Sequence, residues 1–582
     1  MNNMQPPTQA ELDTLEIGII GMGDMGRLYA RKFAHAGFKQ LSLSLNFAIN
    51  VCDRAENYDK LKAELAEKEP GLTVYKDGHH VARRSDIIIY SVEAAFLDAV
   101  VAQYGPSTKI GAIVSAQTSV KAPEQKAFDA HLPTDVAIIS CHSLHGPKVD
   151  TTGQPLVLIQ YRATDDQLHL FERVFASFKS RYVYLSYEEH DTVTANTQAV
   201  THAAFLSMGT AWRCSNAYPW ETGLYPRGIE TVKINLMLRI YSAKWHVYAG
   251  LALLNPSART QVTQYAESAS ALFKLMIAED EEALWKRMLD ARRKVFGWED
   301  DEEGEGVRPP ISRGDSAVPV STGGCGGGGP PAAPPPTPAK PAFSDDSTRD
   351  GAPPRGSRPN QQPILMSDKL LDQFHLTLRK RAKEALAAGA ASSTSSSSAN
   401  GDAAPSSSNG TLLSDAATAA LTTRLASADS SAGAEEGGER SANNNSGGGD
   451  APNSHLSLLA IVDSWAHLSI DPYAHLSLAA TPLFRLWIGV SEYLFRSLPR
   501  LRAACAAATH LSAFRADDTE FVIAARGWAQ AVQFGGFELY KWRFEDTARF
   551  FQDRFEEANA VGAEMLKVVA VEQGQQQQQQ QR

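Results

Sequence analysis

The sequence predicts an α/β domain built on a mostly parallel sheet, followed by an all-α domain that a long low-complexity insertion interrupts. Three observations carry this. From Leu15 to Ser186 short β-branched runs alternate with helical stretches, and several runs are almost wholly apolar, as strands buried on both faces of a parallel sheet must be. After Glu188 the strand signals stop and long helical patterns take over. Between about Glu299 and Asn453, stretches such as "GGCGGGGPPAAPPPTPAKP" and "SANNNSGGGDAP" hold too little apolar surface to offset chain entropy.

The expected division is a disordered N-terminus over 1–14, a nucleotide-binding domain over 15–187 and the first part of a helical domain over 188–300. A disordered insertion over 301–453, the second helical part over 454–571 and a disordered glutamine-rich tail over 572–582 complete it. One stretch inside the insertion, "SDKLLDQFHLTLRKRAKEALAAGA", reads as a short helix. Because the patterns on both sides of the insertion are helical, a single interrupted helical body is preferred to two unrelated domains.

Seven strands are expected in order: "EIGII", "INVCD", "DIIIYSV", "GAIVSA", "VAIISCH", "LVLIQY" and "YVYLSY". The first leads into "IGIIGMGDMGRLYARKFAHAGF", where Gly21, Gly23 and Gly26 form GxGxxG between a strand and an amphipathic helix, with Asp24 and Met25 inside the motif. That context is what a Rossmann dinucleotide site needs: a tight turn, backbone approach to a pyrophosphate and close helix–sheet packing. The second strand ends on Asp53, 27 positions after Gly26 against roughly 20 expected, so Lys39–Phe47 is surplus. Asp53 suits the free 2′-hydroxyl of NAD, and Arg54 beside it suits a 2′-phosphate, so these two residues leave NAD and NADP both open.

Later strand ends add candidates at the carboxyl edge of the sheet, where open α/β sheets bind ligands. "YSVEA" places Ser91 and Val92 there, and "SAQTSVK" places Gln117, Ser119 and Lys121. "CHSLHGPKV" follows the next strand and puts His142 at the same edge. Gly146 and Pro147 rule against one helix carrying both His142 and His145, and no cysteine pair assists, so no metal is expected. His142 fits a neutral general base or hydrogen-bond acceptor, and His145 a turn residue. In the helical part, "EEHDTVTANTQAVTHAAFLSMG" carries His190, Asp191, Gln198 and His202, with Asp191 a candidate helix cap. "VKINLMLRIYSAKWHVYAGLALL" holds Arg239 in apolar surroundings, where it needs a protein carboxylate or a substrate anion.

Composition narrows the function classes. A net charge of −10 without a basic stripe excludes a nucleic-acid footprint. Five scattered cysteines (Cys52, Cys141, Cys214, Cys325 and Cys505) fit a reducing compartment. No apolar run approaches the roughly 20 residues of a membrane span, and the first residues lack the pattern of a signal or transit peptide, so a cytoplasmic protein is expected.

Taken in order, "IGMGDMG", "SAQTSVK", "CHSLHGPKV", "EEHDTVTANTQAVTHAAF" and "LRIYSAKWHVYAG" resemble prephenate dehydrogenases of the fungal type, over Glu16–Gly297 and again from "NSHLSLLAIVDSW" to about Met565. The resemblance implies a Rossmann domain followed by a helical domain that makes a homodimer. It implies oxidative decarboxylation of prephenate in tyrosine biosynthesis, with NADP as cofactor and Arg54 as its phosphate partner. His142 then corresponds to the histidine that accepts a hydrogen bond from the substrate's ring hydroxyl, Ser119 to the serine beside it, and His202 to a second active-site histidine. Arg239 corresponds to the arginine that grips a substrate carboxylate, with Lys121 and Gln198 as further substrate contacts. Two alternatives remain: a related hydroxyacid dehydrogenase, which would place a catalytic lysine in the helical domain, and a non-catalytic dinucleotide-sensing regulator.

Overall fold

A computed structural model of the chain describes residues 15–34, 48–69, 71–147, 149–216, 218–221, 228–298, 453–479 and 481–565, with Ile364, Phe374 and Leu376. The expectations for 1–14, Lys39–Phe47, the helix inside the insertion, the rest of 301–452 and the tail lie outside the described residues.

Strands β1 (Glu16–Ile20), β2 (Ala48–Cys52), β3 (Leu72–Val74), β4 (Ile87–Tyr90), β5 (Ile113–Ala116), β6 (Ala137–Ser143), β7 (Pro155–Arg162) and β8 (Arg181–Tyr184) form one sheet in the order β3-β2-β1-β4-β5-β6-β7-β8. The pairings from β3 to β6 are parallel; β7 runs antiparallel to β6, and β8 is parallel to β7. The parallel character follows from the crossover helices α1 (Asp24–Ala34), α2 (Tyr58–Lys68), α3 (Gly78–Arg84), α4 (Ala94–Tyr104) and α5 (Ala122–His131), because parallel neighbours need a crossover. β3 is an eighth strand beyond the seven read from the sequence. Three residues, "LTV", are too short for a periodic signal.

The strands bury both faces, as their apolar runs require. Ile87 and Ile89 of β4 point into a core with Tyr29, Phe33, Phe175 and Phe178, while Ile88 and Tyr90 point into one with Leu97, Val101 and Phe128. This alternation holds the carboxyl ends of β1, β4, β5 and β6 at one edge, carrying Gly21, Ser91, Gln117 and His142.

After α6 (Asp165–Phe175) and β8 the chain becomes helical. Helix α7 (Tyr187–Thr194) starts with a capping box in which Ser186 accepts from the Glu189 N–H, so Ser186 rather than Asp191 caps it. It runs through a π-helical turn, Ala195–Ala199, into α8 (Val200–Cys214). Then come α9 (Ile229–Tyr241), α10 (Trp245–Leu254), α11 (Ala258–Ile277) and α12 (Glu281–Phe296). Beyond the insertion are α13 (Leu456–His467), α14 (Pro472–Ala479), α15 (Pro482–Arg496), α16 (Leu498–His510), α17 (Arg515–Gln533) and α18 (Phe537–Phe551).

Helices from the two sides of the insertion interleave. α17 packs on α8 and α11, α13 packs on α11 and α12, and the Trp528 indole donates to the Leu206 carbonyl at 3.2 Å and to Thr210 Oγ1 at 2.9 Å. Arg287 of α12 grips buried Asp463 of α13 through Nε at 2.7 Å and a terminal nitrogen at 2.8 Å, a two-point charge-assisted contact. Replacing Asp463 with Ala removes both bonds, and the expected loss is about 2 kcal/mol of unfolding free energy, read as a shift in the urea midpoint. An unchanged midpoint would show that this pair does not tie the two helical segments together.

Candidate active site

The turn after β1 is shaped by its glycines. Gly21 has φ +100°, and a Cβ there would lie 2.4 Å from the Ser91 carbonyl oxygen; at Gly26 it would lie 2.1 Å from the Gly21 carbonyl oxygen. A Cβ on Gly23 would meet nothing within 4 Å, so this side of the loop is open. Two closed contacts and one open face form the cradle a pyrophosphate needs at a helix N-terminus, and these residues fit a dinucleotide. Ser91 and Val92 support the turn from behind: the Ser91 N–H donates to Ile20, and Val92 stands 2.9 Å from the same Gly21 Cβ position. Met25 packs against the core, while Asp24 is exposed and meets Lys244 Nζ at 2.9 Å.

Asp53 is turned onto its own loop. One carboxylate oxygen accepts the Met22 N–H at 2.8 Å, and the other accepts the Arg54 N–H at 2.7 Å and Asn57 Nδ2 at 3.0 Å. Arg54 extends into solvent with only a 3.5 Å contact to exposed Glu56. The acid that would suit NAD is therefore engaged with backbone, whereas the guanidinium that would suit a 2′-phosphate is accessible.

At the end of β6, His142 enters a buried chain. Its Nδ1 lies 2.8 Å from Nε2 of His190, and His190 Nδ1 lies 3.0 Å from Asp191 Oδ1. The Asp191 carboxylate also accepts the Lys121 N–H at 2.7 Å and the Ala122 N–H at 2.8 Å, so it caps α5 from across the domain junction. Burial pushes the Asp191 carboxyl up, and the two amides and the Lys121 charge oppose that. Both imidazoles sit well below their ordinary range, through burial first and then through mutual repulsion for His142 and the nearby Lys121 charge for both. A carboxylate can only accept, so His190 carries its proton on Nδ1 and accepts on Nε2. His142 therefore donates from Nδ1 and keeps an unprotonated Nε2.

Lys121 corrects an expectation. Its side chain is wholly buried, with Nζ at 2.7 Å from Glu124 Oε2, 3.0 Å from the Ala116 carbonyl and 2.9 Å from the Cys141 carbonyl. Three acceptors use its three donors, so it serves as an internal counter-charge rather than a substrate contact. Thr118 and Ser140 complete the cage around Glu124. Ser119 is half-buried in the same loop, and its hydroxyl has no hydrogen-bond partner among the described residues, His142 included. Gln117 donates to Ser91 Oγ. His145 contacts its own turn at the Gly146 carbonyl, 3.0 Å away.

The helical domain carries a second set of polar candidates. Gln198 lies in the π-helical turn, and Thr201 and His202 in the first turn of α8. Gln198 Nε2, Thr201 Oγ1 and His202 Nδ1 are buried with no partner among the described residues, the condition a polar ligand relieves. Desolvation lowers His202 to about 3, and its ring meets Tyr248 edge-on at 4.7 Å. Arg239, near the end of α9, is close enough to Tyr248 to act on its hydroxyl through charge. It is half-buried, and its guanidinium has no acceptor among the described residues. Of the two partners open to it from sequence, no carboxylate among the described residues is used. Sequence reasoning names His190 but assigns it no role, because its partner is 48 positions away, and it misses the π-turn. The adjacent His-Asp pair on a helix was the one signal available.

Two family profiles match the chain: "NADP oxidoreductase coenzyme F420-dependent" over residues 16–119, and a "6-phosphogluconate dehydrogenase C-terminal domain" over 199–307 and 439–571. A probable prephenate dehydrogenase [NADP(+)] of Schizosaccharomyces pombe is 40% identical over 95% of this chain and 97% of its own. The prephenate dehydrogenase [NADP(+)] of Saccharomyces cerevisiae is 40% identical over 96% of this chain and 94% of its own. A solved prephenate dehydrogenase from A. aeolicus is 17% identical, covering 47% of this chain and 93% of that one at a TM-score of 0.38.

The depressed imidazoles link stability to pH. Below the ordinary histidine value of about 6.5 the unfolded chain takes up protons that native His142, His190 and His202 refuse, so stability is full above that pH and falls below it. Urea unfolding should show a loss between pH 7.5 and 5.5, and His202→Gln should flatten it by less than about 1.4 kcal/mol per pH unit. A variant with the wild-type slope would show that His202 is not held neutral.

Proposed function

The chain belongs to the family of NADP-dependent prephenate dehydrogenases, and on that premise we propose how its residues carry out the oxidative decarboxylation of prephenate to 4-hydroxyphenylpyruvate. The reading rests on two observations, an imidazole acceptor at the sheet edge and a half-buried arginine whose guanidinium has no acceptor among the described residues. NADP, when bound, accepts the hydride that leaves the hydroxyl-bearing ring carbon.

Arg239 binds a substrate carboxylate, and its planar, permanently charged group is suited to holding an anion in a half-buried site. His142 accepts the ring hydroxyl through Nε2 and draws on its proton as the carbon–hydrogen bond breaks, so the oxygen gains carbonyl character. His190 and Asp191 hold the ring and its tautomer while partial positive charge develops. Carbon dioxide leaves across the ring, the proton returns to the oxygen, and the ring becomes aromatic. Aromatisation supplies the driving force, so the protein's share is orientation and polarisation. Gln198 and His202 present their unpartnered polar atoms to the substrate, and Ser119 presents a free hydroxyl beside it. Gly21, Gly23, Asp24, Met25 and Gly26 cradle the cofactor, with Ser91 and Val92 behind them. Arg54 pairs with the 2′-phosphate, and Asp53 holds the loop.

The protein acts as a homodimer in the cytoplasm. Ile523, Phe534, Leu539 and Trp542 of α17, α18 and their connection are exposed apolar side chains that a partner helical domain would cover, and among the described residues no helix is long and apolar enough to cross a membrane. A hydroxyacid dehydrogenase would place a catalytic lysine in the helical domain. Of the lysines there, Lys233 pairs with buried Glu230, Lys244 with Asp24 and Lys294 with Asp290.

Purified protein with prephenate and NADP should form NADPH and carbon dioxide one for one; no turnover by folded protein would overturn the assignment. His142→Asn should lower kcat by about 10²- to 10⁴-fold with little change in KM. Arg239→Gln should raise the prephenate KM by about 10- to 100-fold, the value of a charge-assisted bond. Wild-type kinetics in either variant would remove that residue from its role.

A further inference from the structure

Asp24 is an unexpected residue in the cofactor cradle. It directly follows Gly23, the open position of the loop, and its carboxylate stands in the first turn of α1, where the helix end favours an anion. A pyrophosphate seeks the same place. The carboxylate and the cofactor therefore compete for one positive field, unless a cation offsets the repulsion.

That cation comes from the helical domain. Lys244 lies five residues after Arg239, at the residue preceding α10, and its Nζ is 2.9 Å from Asp24 Oδ2. Both side chains are exposed, at 63% and 60%, and an exposed pair of this kind adds little to stability. Lys244 can leave Asp24 at little cost. The corner does not need the pair to stay in place: His246 Nδ1 lies 3.4 Å from Glu93 beyond β4, and α10 packs on α4, where a Cβ added at Gly250 would reach Ala94 at 4.0 Å. The helical domain is thus held over the cofactor edge by two other contacts, and the lysine is a mobile charge placed beside the loop.

We propose that Lys244 is a pyrophosphate ligand contributed by the helical domain, which exchanges Asp24 for the cofactor's phosphates when NADP binds. This rests on the NADP assignment above. It gives the short Arg239–Lys244 corner two anions to hold, the substrate's carboxylate at one end and the cofactor's pyrophosphate at the other.

The test is calorimetric binding to the full-length protein, with two probes. NADP carries the pyrophosphate, while adenosine 2′-monophosphate carries the 2′-phosphate but no pyrophosphate. Lys244→Gln should weaken NADP about tenfold, the lower range for a bond to a charged group, and leave adenosine 2′-monophosphate within twofold. Arg54→Gln should weaken both, which separates the two phosphate sites. Asp24→Asn should tighten NADP severalfold in the presence of Lys244, and at least as much in the Lys244→Gln background, where no cation offsets the carboxylate. The proposal is overturned if Lys244→Gln binds NADP as the wild type does, or loses both probes equally. Failure of the unmodified protein to bind NADP would overturn the cofactor assignment and the proposal with it.

Discussion

The arrangement depends on one buried carboxylate, that of Asp191. It accepts the first free amides of α5, at Lys121 and Ala122, and holds the Nδ1 side of His190. Its own carbonyl accepts Asn255 Nδ2 at 2.8 Å, at the end of α10. A single residue therefore joins the edge of the sheet to two helices of the second domain. Without it, the α5 amides would be buried without an acceptor, and His190 could turn over and present the wrong nitrogen to His142. Each of those costs is of the size that decides a local structure, about 1–3 kcal/mol for an unsatisfied buried group.

In the proposed function the two domains divide the chemistry from that point. The sheet edge supplies the cofactor cradle and a neutral acceptor. The Lys121–Glu124 pair below it brings a positive charge close to both histidines, which resists their protonation and keeps an acceptor available at neutral pH. In the proposed function the helices supply the anion-binding parts: Arg239, with no acceptor among the described residues, and the orphaned polar atoms of the π-turn and α8. The π-turn just before α8 shifts the register at Gln198. Such turns recur at functional sites because the extra residue re-aims side chains that a regular helix would direct elsewhere.

Much of this was legible in the sequence where chemistry is local. The glycine spacing, the apolar strands and the position of His142 at a strand end are short-range patterns, and each appears at the place its residues required. The remainder depends on distant partners. Lys121 looked available for a ligand until Glu124, Ala116 and Cys141 were seen to enclose it. Asp53 and Arg54 were equivalent as text, and the inward hydrogen bonds of Asp53 distinguish them. Asp191 read as a cap for its own helix, yet it caps another. The reversal of β7 and the three-residue β3 also follow from tertiary pairing, because neither has enough residues or a distinct enough pattern to announce it.

The central claim is that the chain Asp191–His190–His142 leaves an unprotonated Nε2 on His142. Neutron diffraction from deuterium-exchanged crystals at neutral pH observes this directly. The expected result is deuterium on Nδ1 of both histidines and none on either Nε2. Deuterium on His142 Nε2, whether on a neutral or a charged ring, would contradict it.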